Sequence, residues 1–484
     1  MKKYLAAVVC AAITAMVLVT QPAYADTLTV CESGCDHTTI QAAVDAANPD
    51  DVIEIQVEGE HTEANIAVAE NLLIKGLGAD VTVVQAAESA CDVEGRVFNI
   101  SEGAVVLEDM TIRHGCVSDT FPGDHAGKGG GIWSAGTLEI HRTFITSNTV
   151  KSGGTGAVNG AGIYSTGSLR IMDSTIAGNE AQSNGSAVGG GLDNNGAAIA
   201  GNSTFSGNFA ADAGGGIHNA GTLGLFNVTV ADNETSGGGD GVNNAGPLSI
   251  GNSLLVSNNS ATASSEDCYT DGTAAVRDLG YNLVTTGNCG LTVVRKPDVG
   301  DLAHNGGPTP THALLLGSPA LDAGDCSGDM LLTDQRGASR PQGPRCDIGA
   351  FERTVVHFPL ISYSAVPNLP DLVPVQLTVE PSEGLALDSD VVLSVVFQNK
   401  GNEITPDNFW VDLYINPVRP PEVAGEIWCT LCPTPPPTPY ECSDDLGMAW
   451  QVKGQPLAPG QTMTVTSKLD PHPLPSPTHW HGRP

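Results

Sequence analysis

The stretch GGGIWSAGTLEIHRTFITSN, Gly129 to Asn148, recurs in outline four more times through Asn258, and its reading decides the fold. Each copy opens on glycines that end at an aliphatic residue, passes through a short apolar-polar-apolar run, and closes a Ser/Thr-rich run on asparagine. The leading aliphatics are Ile132, Ile163, Leu192, Ile217 and Val242, spaced 31, 29, 25 and 25 residues apart. The closing asparagines Asn148, Asn179, Asn208, Asn233 and Asn258 keep the same four spacings. Two markers that stay in phase through changes of length define structural repeats.

Such a repeat is too short for a domain and too rich in glycine for a pair of helices, since Gly costs about 1 kcal/mol against Ala inside a helix. In GTLEI (Gly136 to Ile140), GSLRI (Gly167 to Ile171) and GPLSI (Gly246 to Ile250) the aliphatics fall two apart, which points them to one face of a strand. Three short strands per turn predict a coil of a parallel β-helix, stacked at about 4.8 Å so that each inward aliphatic lands on its equivalent. The five closing asparagines then form a structural ladder at a coil corner. Two further polar columns are expected at corners, where Asn tolerates left-handed backbone and stacked amides bond to their neighbours. One reads Ser134, Ser165, Asn194, Asn219, Asn244, and the other Arg142, Asp173, Asn202, Asn227, Asn252.

Upstream, Thr38 and Thr39 precede IQAAVDAA, with apolar residues at helical spacing and Asn48-Pro49 as a stop. This predicts a helix that caps the first coil, where a solenoid otherwise exposes its core and unpaired strand edges. Strand-like runs at 52–57, 71–74, 81–84, 97–100 and 105–112 are the irregular early coils.

The N-terminus carries Lys2 and Lys3, an apolar run, and Ala23-Tyr24-Ala25, so residues 1–25 read as a secretory signal peptide. Export makes the compartment extracellular or cell-surface, and cysteines there pair. Sequence proximity suggests Cys31 with Cys35, Cys91 with Cys116, Cys268 with Cys289, and Cys326 with Cys346. Cys429, Cys432 and Cys442 leave one thiol over. A net charge of −33, with 21 basic residues, argues against nucleic-acid binding, which needs clustered Lys and Arg. No later run is long and apolar enough for a membrane span.

Chemistry is sparse in the repeats. Polysaccharide hydrolases need paired carboxylates, and lyases need Ca2+ ligands with a nearby base. In register, Asp173 meets Arg142 and Asn202, and Asp193 meets Tyr164 and His218, so no acidic column forms and no catalytic residue is assigned. One outward column, Trp133, Tyr164, Asp193, His218, Asn243, sets aromatics beside polar groups, the pairing that stacks on sugar rings while bonding to hydroxyls. It is the candidate glycan-binding stripe, set against ordinary exposed residues at a variable position. His114 reads as a corner residue, and His304 and His312 as parts of a turn-rich cap. His472, His479 and His481 fall in a flexible tail. No cofactor or metal site is expected; Ca2+ is the one candidate ion, because Gly238-Gly239-Asp240-Gly241-Val242 echoes a single copy of a calcium-binding nonapeptide.

Beyond residue 260 the repeat fades into HNGGPTPTH (His304 to His312), GSPALDAG (Gly317 to Gly324), DQRG (Asp334 to Gly337) and CDIGAFE (Cys346 to Glu352). With the repeats, these resemble the choice-of-anchor Q domain proteins over about residues 28 to 353. The resemblance implies a right-handed parallel β-helix of the pectin-lyase-like type in secreted or surface proteins, and supplies no catalytic residue. Residues 354–370 read as a linker. Residues 371–470 resemble a CARDB-type adhesion-related module, a small Ig-like β-sandwich, and 471–484 read as a disordered tail. The expectation is an all-β, exported, non-catalytic protein for adhesion or glycan binding, whose partner is a polysaccharide or a cell-surface component. An extracellular polysaccharide lyase or glycoside hydrolase, with its site in loops such as Asp119 to Lys128, is the alternative.

Overall fold

A computed structural model describes residues 25–123, 125–258, 266–272, 274–293, 298–326, 332–353, 372–380, 391–400, 408–414, 447–453 and 456–469. Residues 1–24 of the signal peptide, the linker, Cys429, Cys432, Cys442 and the tail histidines lie outside the described residues.

The repeats wind into a parallel β-helix, right-handed as the chirality of parallel crossovers dictates. The coil that holds the quoted stretch contributes Ile132–Ser134 to a first wall, Thr137–His141 to a second and Phe144–Thr146 to a third. The first wall has eight strands, from Ile66–Val68 to Cys268–Thr270; the second and third have ten each. A fourth wall adds to the three strands per turn that the repeats predict. Its five strands run from Cys116–Ser118 to Glu234–Thr235 and follow the ladder position in each middle coil. There Val117, Val150, Val158, Ala161, Ala181, Ala187 and Ala210 build a small second core, so each middle coil carries a side lobe.

The main core is a set of aliphatic columns. Ile132, Ile163, Leu192, Ile217 and Val242 pair in register and are fully buried. Each such side chain contributes about 1.5–3 kcal/mol by leaving water. The coil that carries only Ala198 and Ala200 on the second wall carries Phe205 on the third, where its neighbours are Ile145, Ile176, Val230 and Leu255. A large residue across the coil restores the volume that two small ones give up.

Buried asparagine holds the corner. Asn148, Asn179, Asn208 and Asn233 each donate from Nδ2 to Oδ1 of the next asparagine at 2.9 Å, and Asn258 donates at 2.9 Å to Asp267. Nδ2 of each of these asparagines also reaches a backbone carbonyl one coil back, for instance Asn208 to Ile176 at 2.9 Å. Five aligned amide dipoles thus end on a carboxylate at their donor end. The column Asn194, Asn219, Asn244 forms a second ladder, at 2.8 and 2.7 Å.

The third polar column takes the left-handed backbone expected of it, with φ between 42° and 53° at Arg142, Asp173, Asn202, Asn227 and Asn252. Its amides do not all stack. Asn202 donates to Thr333 O at 2.8 Å and Asn252 to Asp325 O at 2.6 Å, because residues 298–326 and 332–353 lie against this corner. That segment covers the outer face of the third wall. Gln335 is fully buried and links Thr175, Thr204 and Thr309 through bonds of 2.7, 2.7 and 2.8 Å. Leu314, Ala320, Ile348 and Phe351 pack on Ala231, Leu254 and Val256. Within it Arg340 and Glu352, both buried, pair at 2.9 Å.

At the other end the helix Ile40–Ala46 buries Ile40, Ala43 and Val44 over the first coils, with Thr39 as N-cap accepting from Ala42 N at 3.2 Å. Glu63 accepts the Ile40 and Gln41 amides at 2.6 and 2.9 Å, an anion at a helix start. Disulfides join Cys31–Cys35, Cys91–Cys116, Cys268–Cys289 and Cys326–Cys346. They point to an oxidising, extracellular setting.

At the C-terminal end the strands turn antiparallel. Leu372–Glu380, Val391–Asn399 and Thr462–Leu469 form one sheet, and Asn408–Tyr414 pairs with Gly447–Lys453 in another, the elements of a small Ig-like module.

Candidate functional site

The stripe Trp133, Tyr164, Asp193, His218, Asn243 is in register along the outer face of the first wall, one residue per coil. It extends to Asn99 on one side and Tyr269 on the other. Those two escape a repeat-based reading because Asn99 lies in a strand without the glycine lead and Tyr269 follows Cys268 where the aliphatic would stand.

The stripe is not an open face along its length. Trp133 is 6% exposed, Tyr164 9% and Asp193 1%, whereas His218, Asn243 and Tyr269 are half-buried. A neighbouring column in the side lobe explains the gradient. It runs Lys128, Asn159, Val188, Ala213, Gly238 in strand register, so its side chains shrink along the solenoid. At the wide end, Lys128 Nζ lies 5.2 Å over the Tyr164 ring, and His125 stacks on Trp133 at 3.6 Å and 17°. At the other end, the Asn243 amide bonds to Gly238 O at 3.1 Å, and a Cβ placed on Gly238 would stand 3.9 Å from the Tyr269 ring. The expectation of five exposed residues is therefore corrected: three are roofed, and the crevice opens over His218, Asn243 and Tyr269.

The tight turn that brings the lobe back to the stripe requires glycine. Gly189 has φ 66°, and a Cβ there would meet Leu192 O at 2.6 Å and Asp193 Cβ at 2.8 Å. The roof itself is pinned from below by Arg96, whose guanidinium donates to His125 O at 2.9 Å and Lys128 O at 3.1 Å. Burial lowers that guanidinium to about 10. Asp119, one of the loop carboxylates, accepts from Ser152 Oγ at 2.8 Å and braces the same loop.

In the open part, His218 Nδ1 lies 2.7 Å from Asp193 Oδ1. A carboxylate accepts and does not donate, so Nδ1 carries the proton and Nε2 is left to bond with a ligand. Burial pushes the Tyr164 phenol up, and the adjacent Asp193 adds to the rise. The arrangement supplies an oriented imidazole, an amide and a phenol ring in successive coils, a set suited to hydroxyl groups and a sugar face.

The remaining candidates take structural positions. His114 sits at a corner with φ 61° and bonds to Ala87 O at 3.0 Å. His312 is buried between Ser206 Oγ and Gly300 O, each at 2.8 Å, and His304 is exposed. Asp240, in the calcium-like echo, accepts from Thr235 N at 2.9 Å and Glu266 N at 3.0 Å. Among the described residues no group of three or more His, Cys, Asp or Glu is placed to hold a metal ion, and no helix is long and apolar enough to cross a membrane.

No family model matches the chain, and no curated protein matches it. Among solved structures, a crystal structure of pectate lyase Pel9A is similar over 68% of this chain and 97% of that chain, with a TM-score of 0.37 and 11% sequence identity.

Proposed function

We propose that this is an extracellular, non-catalytic β-helix protein that holds a glycan in the crevice at His218, Asn243 and Tyr269, in the service of adhesion. One observation carries the reading: the lobe column tapers from Lys128 to Gly238, so the stripe opens only where an oriented imidazole, an amide and a phenol follow one another. The stripe's sole carboxylate, Asp193, is 1% exposed and engaged with His218, which leaves no carboxylate pair at acid/base separation there. Within this proposal residues 26–353 form the choice-of-anchor Q-type unit, and the C-terminal CARDB-like strands serve as spacer or attachment module. Support for the first part is the use found for its motif: Gln335, Thr309 and His312 fasten residues 298–326 and 332–353 to the third wall. Retention of the purified chain on immobilised glycans, with Tyr269→Ala and His218→Ala as controls, tests the crevice.

A second reading rests on the same pair. An imidazole held by a buried carboxylate beside an open crevice is the arrangement of a general base, which favours a lyase or hydrolase as the alternative. New reducing ends or unsaturated products that disappear in His218→Ala would select it.

A further inference from the structure

We infer a second ligand surface, on the outer face of the second wall, that takes an acidic polysaccharide. In the early coils this face neutralises its own charges: Lys75 meets Glu54, and Arg142 meets Glu108 and Asp109. Glu139 is turned to His141 at 3.1 Å. From the next strand onward the outward positions change character. They are Ser168, Arg170 and Met172, then Ala197, Ile199 and Gly201, then Thr222, Gly224 and Phe226, then Ser249 and Gly251, then Arg277 and Leu279. No carboxylate stands among them, in a chain with 54 acidic and 21 basic residues.

The middle of this face is apolar and lined with glycine. The Phe226 ring lies over Gly224, where a Cβ would meet its Cε2 at 2.9 Å and Ile199 Cγ1 at 3.5 Å. Gly251 gives the same clearance to Leu279, with a Cβ there 3.2 Å from Leu279 Cβ. Ile199 is 50% exposed and Leu279 42%. A half-buried aromatic packed over glycines, with apolar neighbours beside it, offers apolar surface to the face of a pyranose ring.

Arg170 and Arg277 stand at the two ends of the platform, both exposed. Four strand spacings of about 4.8 Å separate them, or about 19 Å. Lys75, Arg113, Arg142, Arg336 and Arg340 each meet a carboxylate, whereas among the described residues Arg170 and Arg277 form no ion pair or side-chain hydrogen bond. Guanidinium groups bind carboxylates in a bidentate fork. Stacking in the centre and forks at the ends select a chain of sugars that bears carboxylates, a uronate polymer. The crevice lies on a different wall and does not depend on this surface.

The test is titration of the full exported chain with alginate, dextran and polyphosphate by calorimetry, with R170Q/R277Q, I199S and N184A as variants and thermal melting as the folding control. The expected result is that alginate binds in a salt-dependent manner, dextran and polyphosphate bind at least about tenfold more weakly, and both R170Q/R277Q and I199S lose about tenfold or more in alginate affinity. N184A, at an exposed position between Glu180–Gln182 and Ala187–Val188, should leave it unchanged. Equal binding of polyphosphate, unchanged affinity in the platform variants, or self-association of the chain that I199S abolishes would each overturn the assignment.

Discussion

Asp193, one coil before His218 and almost wholly buried, holds the imidazole by its Nδ1 at 2.7 Å. The pair fixes which nitrogen faces the crevice. Replacing Asp193 with Asn keeps the volume and removes the charged acceptor, so His218 should lose its fixed tautomer and orientation. The expected outcome is glycan affinity reduced about tenfold, the loss of one charge-assisted hydrogen bond, with the imidazole nitrogen shifts in NMR showing the change of tautomer. Unchanged shifts would mean that Asp193 does not orient the ring.

The taper of the lobe column makes a gain-and-loss prediction. Ala213→Lys should place a long side chain against the open part of the stripe, as Lys128 is placed over Tyr164, and should abolish glycan retention without lowering the melting temperature. Lys128→Ala should raise the accessibility of Tyr164, read as faster iodination or quenching. If Ala213→Lys binds as well as the parent, the crevice is not the site.

The asparagine ladder predicts a stability cost that rises where two donors depend on one amide. Asn208 Oδ1 accepts from Asn179 N at 3.1 Å and Nδ2 at 2.9 Å, and Asn208 Nδ2 donates to Ile176 O and Asn233 Oδ1. Asn208→Ala should therefore cost about 3 kcal/mol or more in denaturant unfolding, because several buried groups lose their partners. The exposed Asn184→Ala should stay within about 0.5 kcal/mol. Comparable small effects at both sites would show that the ladder is dispensable.

Acid should loosen the N-terminal cap first. Burial pushes the Glu63 carboxyl up, but hydrogen bonds from His61, Gln41 N and Ile40 N outweigh it and set the net value below the ordinary 4.5. A carboxyl lowered in the folded state contributes stability that is complete above its unfolded value and lost as pH falls through the folded one. Hydrogen exchange of the helix Ile40–Ala46 should accelerate below pH 4.5 relative to the third-wall core, once corrected for intrinsic rates. Glu63→Gln should show the loosened cap already at neutral pH and a flatter profile.

How much was legible in the sequence follows from the range of the interactions. The coil register could be read because Ile132 and Asn148 recur in phase, and the cap because Thr39 and Asn48-Pro49 mark a helix locally. The four disulfides, too, join cysteines that are neighbours in sequence. The roof over Trp133 and Tyr164 comes from His125 and Lys128, in the loop ahead of Ile132 and so before the first counted spacing, and the sequence of a loop does not say where it folds. The cover over the third wall depends on Gln335 meeting Thr175 across 160 residues, which no local pattern encodes. The side lobe escaped because Thr149-Val150-Lys151 and Glu180-Ala181-Gln182 alternate over only three residues, too few for a period to show.

The most direct test incubates the purified chain with a panel of neutral and uronic-acid polysaccharides and reads two quantities together, the glycan retained and the new reducing ends released. The account predicts retention of at least one glycan, lost in Tyr269→Ala and His218→Ala, with no protein-dependent release of ends. Sustained release that His218→Ala abolishes, or the absence of any glycan whose retention these two variants reduce, would contradict it.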